Sequence, residues 1–100
     1  MPEPLSSDAL ATALANLRGW SGGSGGLLRT WRFPSFAAAM AFMHACTPRI
    51  DVLDHHPEWN NVYDKVSVRL ATHDAGNRVT ARDVQLATLL DEQARIHYGS

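Results

Sequence analysis

The sequence predicts an α+β domain, a four-stranded antiparallel sheet with three helices packed on one face in the order α-β-β-α-β-β-α. Three observations predict it. Apolar residues recur at helical spacing in three stretches, near the two ends and before the middle of the chain. Two intervening regions alternate apolar and polar residues and break at turn-forming residues, as hairpins do. The 100 residues, 45% hydrophobic and 19% charged, are enough for one core and too few for two, so residues 1–100 are read as a single domain.

In the first helix Leu5, Ala9, Leu10, Ala13, Leu14 and Leu17 share a face, Ser6 or Ser7 caps the start, Asp8 favours the first turn, and Gly19 fits the stop. The patch Ser21-Gly22-Gly23-Ser24-Gly25-Gly26 is too short to separate domains and reads as the loop of a hairpin joining Trp20 to the run that follows. In that run, Leu27 to Phe33, Leu27, Trp31 and Phe33 face one way, Thr30 and Arg32 the other, and Pro34 stops the strand.

Ser35 caps a second helix, whose stripe of Phe36, Ala39, Met40, Met43 and Thr47, widened by Phe42 and Cys46, is expected in the core. Pro48 is expected to end it. Glu58 to Thr72 is long for one strand and divides near Asp64-Lys65 into a hairpin, with Val66, Val68 and Leu70 inward and Lys65, Ser67 and Arg69 outward. Residues 74–78 have loop composition. Thr80-Ala81-Arg82-Asp83 then reads as a capped helix start, followed by a buried face of Val84, Leu86, Ala87, Leu90, Ala94 and Ile96.

The formal charge of −1 and the scatter of the nine Lys and Arg residues argue against general nucleic-acid binding. Cys46, the single cysteine, lies in an apolar run and reads as a small buried hydrophobe. Residues 1–8 lack a basic leader, and no apolar run approaches the roughly 20 residues of a membrane span. The expectation is a soluble cytoplasmic protein with no membrane or direct nucleic-acid partner.

Three of the five histidines, His55, His56 and His73, fall near expected strand ends. Imidazole gives or takes a proton near neutral pH, so such a group is a candidate for acid and base work. Adjacent histidines in extended backbone point in opposite directions unless the Pro57 turn re-aims one. A metal site is disfavoured, because no thiolate lies nearby and no spacing puts two imidazoles on one helical face. His44 and His97 read as ordinary helix histidines.

Asp51, His55-His56-Pro57, Tyr63, His73 and Asp83 stand at spacings that resemble the signature of the pterin-4a-carbinolamine dehydratase family, also known as the dimerisation cofactor of a homeodomain transcription factor. The contiguous text Asp54-His55-His56-Pro57-Glu58-Trp59, Asn61-Val62-Tyr63, Lys65-Val66 and Thr72-His73 agrees, and a fainter likeness covers most of the chain. The Gly-Ser patch replaces a more charged loop. Asn77-Arg78-Val79-Thr80 stands where the family writes Gly-Leu-Thr or Gly-Leu-Ser, one residue longer.

The resemblance implies a hydro-lyase that removes water from 4a-hydroxytetrahydropterin, or 4a-hydroxytetrahydrobiopterin, to give quinonoid dihydropterin, with no cofactor and no metal. It implies that His55, His56 and His73 contact the pterin and move protons, His55 nearest the 4a-hydroxyl, with Pro57 shaping the pocket wall and Thr72 and Asp74 contacting the pyrimidine edge. Asp51 and Asp54 either orient an imidazole or are solvated loop charges. Tyr63 is core or pocket lining, and Asp83 is a helix-start carboxylate or a ligand contact. The alternative is a non-catalytic dimerisation or transcriptional cofactor, or an assembly scaffold, on the same fold. Family kinship also implies a homodimer or homotetramer, and unprotected sheet edges, with no Pro or Lys within Val66 to Leu70, favour edge pairing.

Overall fold

Residues 2–100 are described by a computed structural model. Helix α1 (Ser7–Asn16) leads to β1 (Ser21–Gly23), β2 (Gly26–Arg32), α2 (Phe36–Leu53), β3 (Glu58–Val62), β4 (Lys65–Leu70), a 3-10 turn (His73–Ala75) and α3 (Ala81–Ile96). The antiparallel sheet has the order β1-β2-β4-β3. The expected class and element order are therefore observed.

Central β4 alternates as read, with Val66, Val68 and Leu70 buried beneath the helices. Because it is bonded on both sides, it offers no free edge; the edges are the three-residue β1 and the five-residue β3. The edge-pairing expectation thus moves from the Val66–Leu70 segment to β1 or β3. The Gly-Ser patch is itself the first hairpin, β1 and the start of β2 around a two-residue turn at Ser24-Gly25. Gly22 has φ +115, and a Cβ there would lie 2.1 Å from the Gly26 carbonyl oxygen. A patch that looks like loop composition forms strand here because close backbone approach excludes side chains.

Helix α2 does not end at Pro48 but runs one and a half turns beyond it. Proline lacks the N–H that would bond to the His44 carbonyl, and the Thr47 hydroxyl donates to that oxygen instead, at 2.7 Å. The buried face of α2 is Ala39, Phe42, Cys46 and Ile50, while Phe36, Met40 and Thr47 are exposed and Met43 is half-buried. A sequence stripe shows that a helix is amphipathic, but the flanking apolar residues leave its rotation open by tens of degrees. In α3, Leu86, Ala87, Leu90 and Ala94 are buried as expected, Val84 is half-buried, and Ile96 in the last turn is exposed.

The core gathers Trp31 and Phe33 of the β2 region onto Phe42 of α2, with ring centroids 5.2 and 4.8 Å apart. Trp20 and Trp31 meet edge to face, and both indole N–H groups donate to Asp91 of α3, at 2.8 and 3.2 Å. Helix α1 has no fully buried residue; Leu5, Leu10 and Leu14 rest half-buried on the core, and Ser6 caps it by accepting the Ala9 amide hydrogen. Among the described residues no helix is long and apolar enough to cross a membrane. The C-terminus of α2, the exit of β4 and the start of α3 meet at one corner of the sheet.

Candidate functional site

Asp54 closes α2 in the left-handed conformation (φ 55, ψ 42) and turns the chain out of the helix. The next two side chains part. His55 goes inward, with 8% exposure, and its Nε2 lies 2.6 Å from Asp83 Oδ1. His56 goes outward, with Nε2 3.2 Å from Asp51 Oδ1 at an exposed pair. The expected divergence of adjacent imidazoles is observed, yet both still border the same hollow. His73 arrives from the β4 exit, exposed at the start of the 3-10 turn that Gly76 closes in a left-handed conformation.

The three histidines line one open pocket of about 260 Å³ with Asp54, Ala71, Thr72, Asp74 and Arg82. Its floor is ionic. Asp83 is wholly buried, and a carboxylate in that position needs a full set of donors. Oδ2 accepts from the Thr72 hydroxyl at 2.8 Å and from the Thr80 amide at 2.9 Å, leaving Oδ1 for His55. Since a carboxylate oxygen only accepts, Nε2 of His55 is the donor, and Nδ1 of the neutral ring is the nitrogen left to exchange a proton.

Asp83 does this from the third position of α3, where its bond to the Thr80 amide is half of a capping box. The loop one residue longer than the family pattern is accommodated with Asn77 at φ 60, so that Val79 is buried and Thr80 still caps the helix.

The sequence-derived site residues are only partly brought together. Asp51 meets His56 at the exposed surface, whereas Asp54 lines the pocket with its carbonyl oxygen held by Arg82 Nη2 at 2.8 Å. Asp83 lies under His55 without access to a ligand. Thr72 does not offer free groups to a pyrimidine edge: its hydroxyl, its N–H (to Arg78 O) and its C=O (from Ala75 and Asn77 N–H) all have partners inside the protein. Pro57 is half-buried behind His56 in sequence and is not part of the lining. Tyr63 is neither core nor lining; it sits at φ 55 in the β3–β4 turn, 70% exposed, six residues of strand or roughly 20 Å from the pocket.

Arg82 and Thr80 were not among the candidates. The one available signal was their place beside Asp83 in a capped helix start, which reads as local structure until the fold brings it against His55. His44 and His97 lie outside the pocket, His97 with Nδ1 2.8 Å from the Gln93 carbonyl oxygen. Among the described residues no three His, Cys, Asp or Glu side chains are grouped to hold a metal ion.

The family model for pterin 4 alpha carbinolamine dehydratase matches residues 3–93. The chain belongs to that family. Members provisionally named pterin-4-alpha-carbinolamine dehydratase include one from Opitutus terrae, 51% identical over 87% of this chain and 90% of its own, and one from Paraburkholderia xenovorans, 43% identical over 91% and 96%. A crystal structure described as a transcriptional coactivator/pterin dehydratase from Brucella melitensis matches with a TM-score of 0.85 and 36% identity, over 91% of this chain and 98% of that one.

Proposed function

We propose that this chain dehydrates 4a-hydroxytetrahydropterin to quinonoid dihydropterin by histidine acid-base catalysis, in the recycling of tetrahydrobiopterin after aromatic amino-acid hydroxylation. The observation that carries the reading is the convergence of His55, His56 and His73 on one open pocket, from segments eighteen residues apart. The reaction breaks the C4a–O bond and removes the N5 hydrogen, so one group must protonate the departing hydroxyl and another must accept the N5 proton. No electrons are exchanged, and the proton given and the proton taken balance.

Imidazoles suit both tasks near neutral pH. His55 is held rigidly by Asp83 and keeps Nδ1 for proton exchange, which suits it to the 4a-hydroxyl. His56 and His73 are exposed and can return their protons to water between turnovers. Arg82 and Asp74 supply opposite charges at the rim, for the polar edge of the pterin.

The test is a stopped-flow assay of quinonoid dihydropterin formation from freshly generated 4a-hydroxytetrahydropterin. Acceleration over the spontaneous reaction, lost in His55 and His73 variants, is expected; a rate equal to that of buffer overturns the proposal and favours a non-catalytic cofactor or scaffold.

A further inference from the structure

Counting hydrogens around Asp83 leaves a single arrangement. Thr72 has one hydroxyl hydrogen, and Asp83 Oδ2 at 2.8 Å can only accept it. The 2.7 Å contact between the Thr72 and Thr80 hydroxyls must therefore carry the hydrogen of Thr80, whose own oxygen accepts from the Arg82 amide at 3.2 Å. The chain runs one way, from Arg82 N–H to Thr80, from Thr80 O–H to Thr72, and from Thr72 O–H to Asp83. All three side chains are buried, with exposures of 3% or less, so water does not compete for these bonds.

We propose that Thr72 and Thr80 are positioning residues for the dehydration: their directed hydroxyl chain pins Oδ2 of Asp83, holds Oδ1 against the Nε2–H of His55, and so fixes the placement of the ring whose Nδ1 exchanges protons. This rests on the function proposed above and extends it to two residues whose hydroxyls are bonded inside the protein. The two threonines act in order. Thr72 acts on the carboxylate directly, whereas Thr80 acts on Thr72, and losing the Thr80 hydroxyl leaves the Thr72 donation in place. Thr80 is also the cap of α3, so its loss falls on helix stability more than on the imidazole.

The experiment compares Thr72→Val, Thr72→Ser and Thr80→Val in the full chain by two readouts, imidazole 15N–1H spectra and steady-state kinetics. The parent is expected to show a slowly exchanging His55 Nε2–H. Thr72→Val should lose that protection and lower kcat roughly tenfold with KM little changed, as expected for the loss of a donor to a buried charge. Thr72→Ser should restore both. Thr80→Val should lower kcat less than Thr72→Val does, whatever its melting temperature. The proposal is overturned if Thr72→Val keeps the protected Nε2–H and the parent kcat, or if kcat simply follows melting temperature across the three variants. Should the parent itself fail to dehydrate the carbinolamine, the proposed function falls and the imidazole spectra alone decide the positioning role.

Discussion

His55 Nε2 and Asp83 Oδ1 meet at 2.6 Å across 28 residues of sequence, both withdrawn from water, and this pair joins the pocket to the start of α3. It also separates the three histidines by role: His55 is part of the fold, and His56 and His73 stand on its surface.

The histidine variants should divide accordingly. Replacing His55 or His73 by Ala is expected to lower the dehydration rate by roughly 10²–10⁴. His73→Ala should melt like the parent, while His55→Ala should lose about 1–3 kcal/mol, because it strips a partner from a buried carboxylate. His44→Ala should leave the rate unchanged. Full activity in both His55→Ala and His73→Ala would remove the site assignment.

Asp83→Asn keeps the shape but reverses one end of the network. With the amide oxygen accepting from Thr72 and the Thr80 N–H, the amide nitrogen faces His55 and donates to Nε2, forcing the proton onto Nδ1. The expected result is a rate loss of roughly 10²–10⁴ in a folded protein, of the kind a wrong imidazole tautomer produces. A near-parent rate would mean that the tautomer does not matter to the reaction.

Incubation with a chelator should leave the rate as it was, since proton transfers among imidazole, N5 and the 4a-oxygen ask nothing of a metal. Activity abolished by chelation and restored by zinc would replace this mechanism with a metal-assisted one.

Burial pushes the Cys46 thiol up to about 12 from an ordinary value of 9.0, with Arg49 acting the other way. The folded state therefore holds the proton more tightly than the unfolded chain. This contribution to stability is fully present below about pH 9 and is lost as pH rises from there towards 12. Thiol-reagent labelling at pH 8 is expected to be slow in the native protein and fast in denaturant; prompt native labelling would contradict the burial.

Edge strand β3, Glu58 to Val62, carries no Pro or Lys and ends in the exposed pair Val62 and Tyr63. Sedimentation at micromolar concentration is expected to show a homodimer or larger species, and a single species of 11.0 kDa would count against it.

What could be read from the sequence was whatever depends on local pattern. The alternation of Val66, Val68 and Leu70, the caps at Ser6, Ser35 and Thr80 and the presence of α1 and α3 are decided by neighbours within a few residues, and they stand as read, whereas Ala9 and Ile96, expected on the packed faces, are exposed. Where the reading failed, a distant or unusual partner decided. Pro48 is tolerated because Thr47 takes over an orphaned carbonyl, and Met40 faces out because packing rather than pattern sets the rotation of α2. At the site, motif spacing led to His55, His56, His73 and Asp83, but not to the way Asp83 acts, which needs α3 placed against the end of α2. Tyr63 shares the motif and lies at the far end of β4, since motif spacing records a common fold as well as a common pocket.

Asp83 holds the Thr80 amide hydrogen with one oxygen and the His55 ring with the other. Fraying at the start of α3 is therefore expected to loosen the imidazole as well. Exchange of the Thr80 amide with deuterated solvent requires that its bond to the carboxylate opens, so its exchange rate reports, with no substrate present, how firmly Asp83 is held.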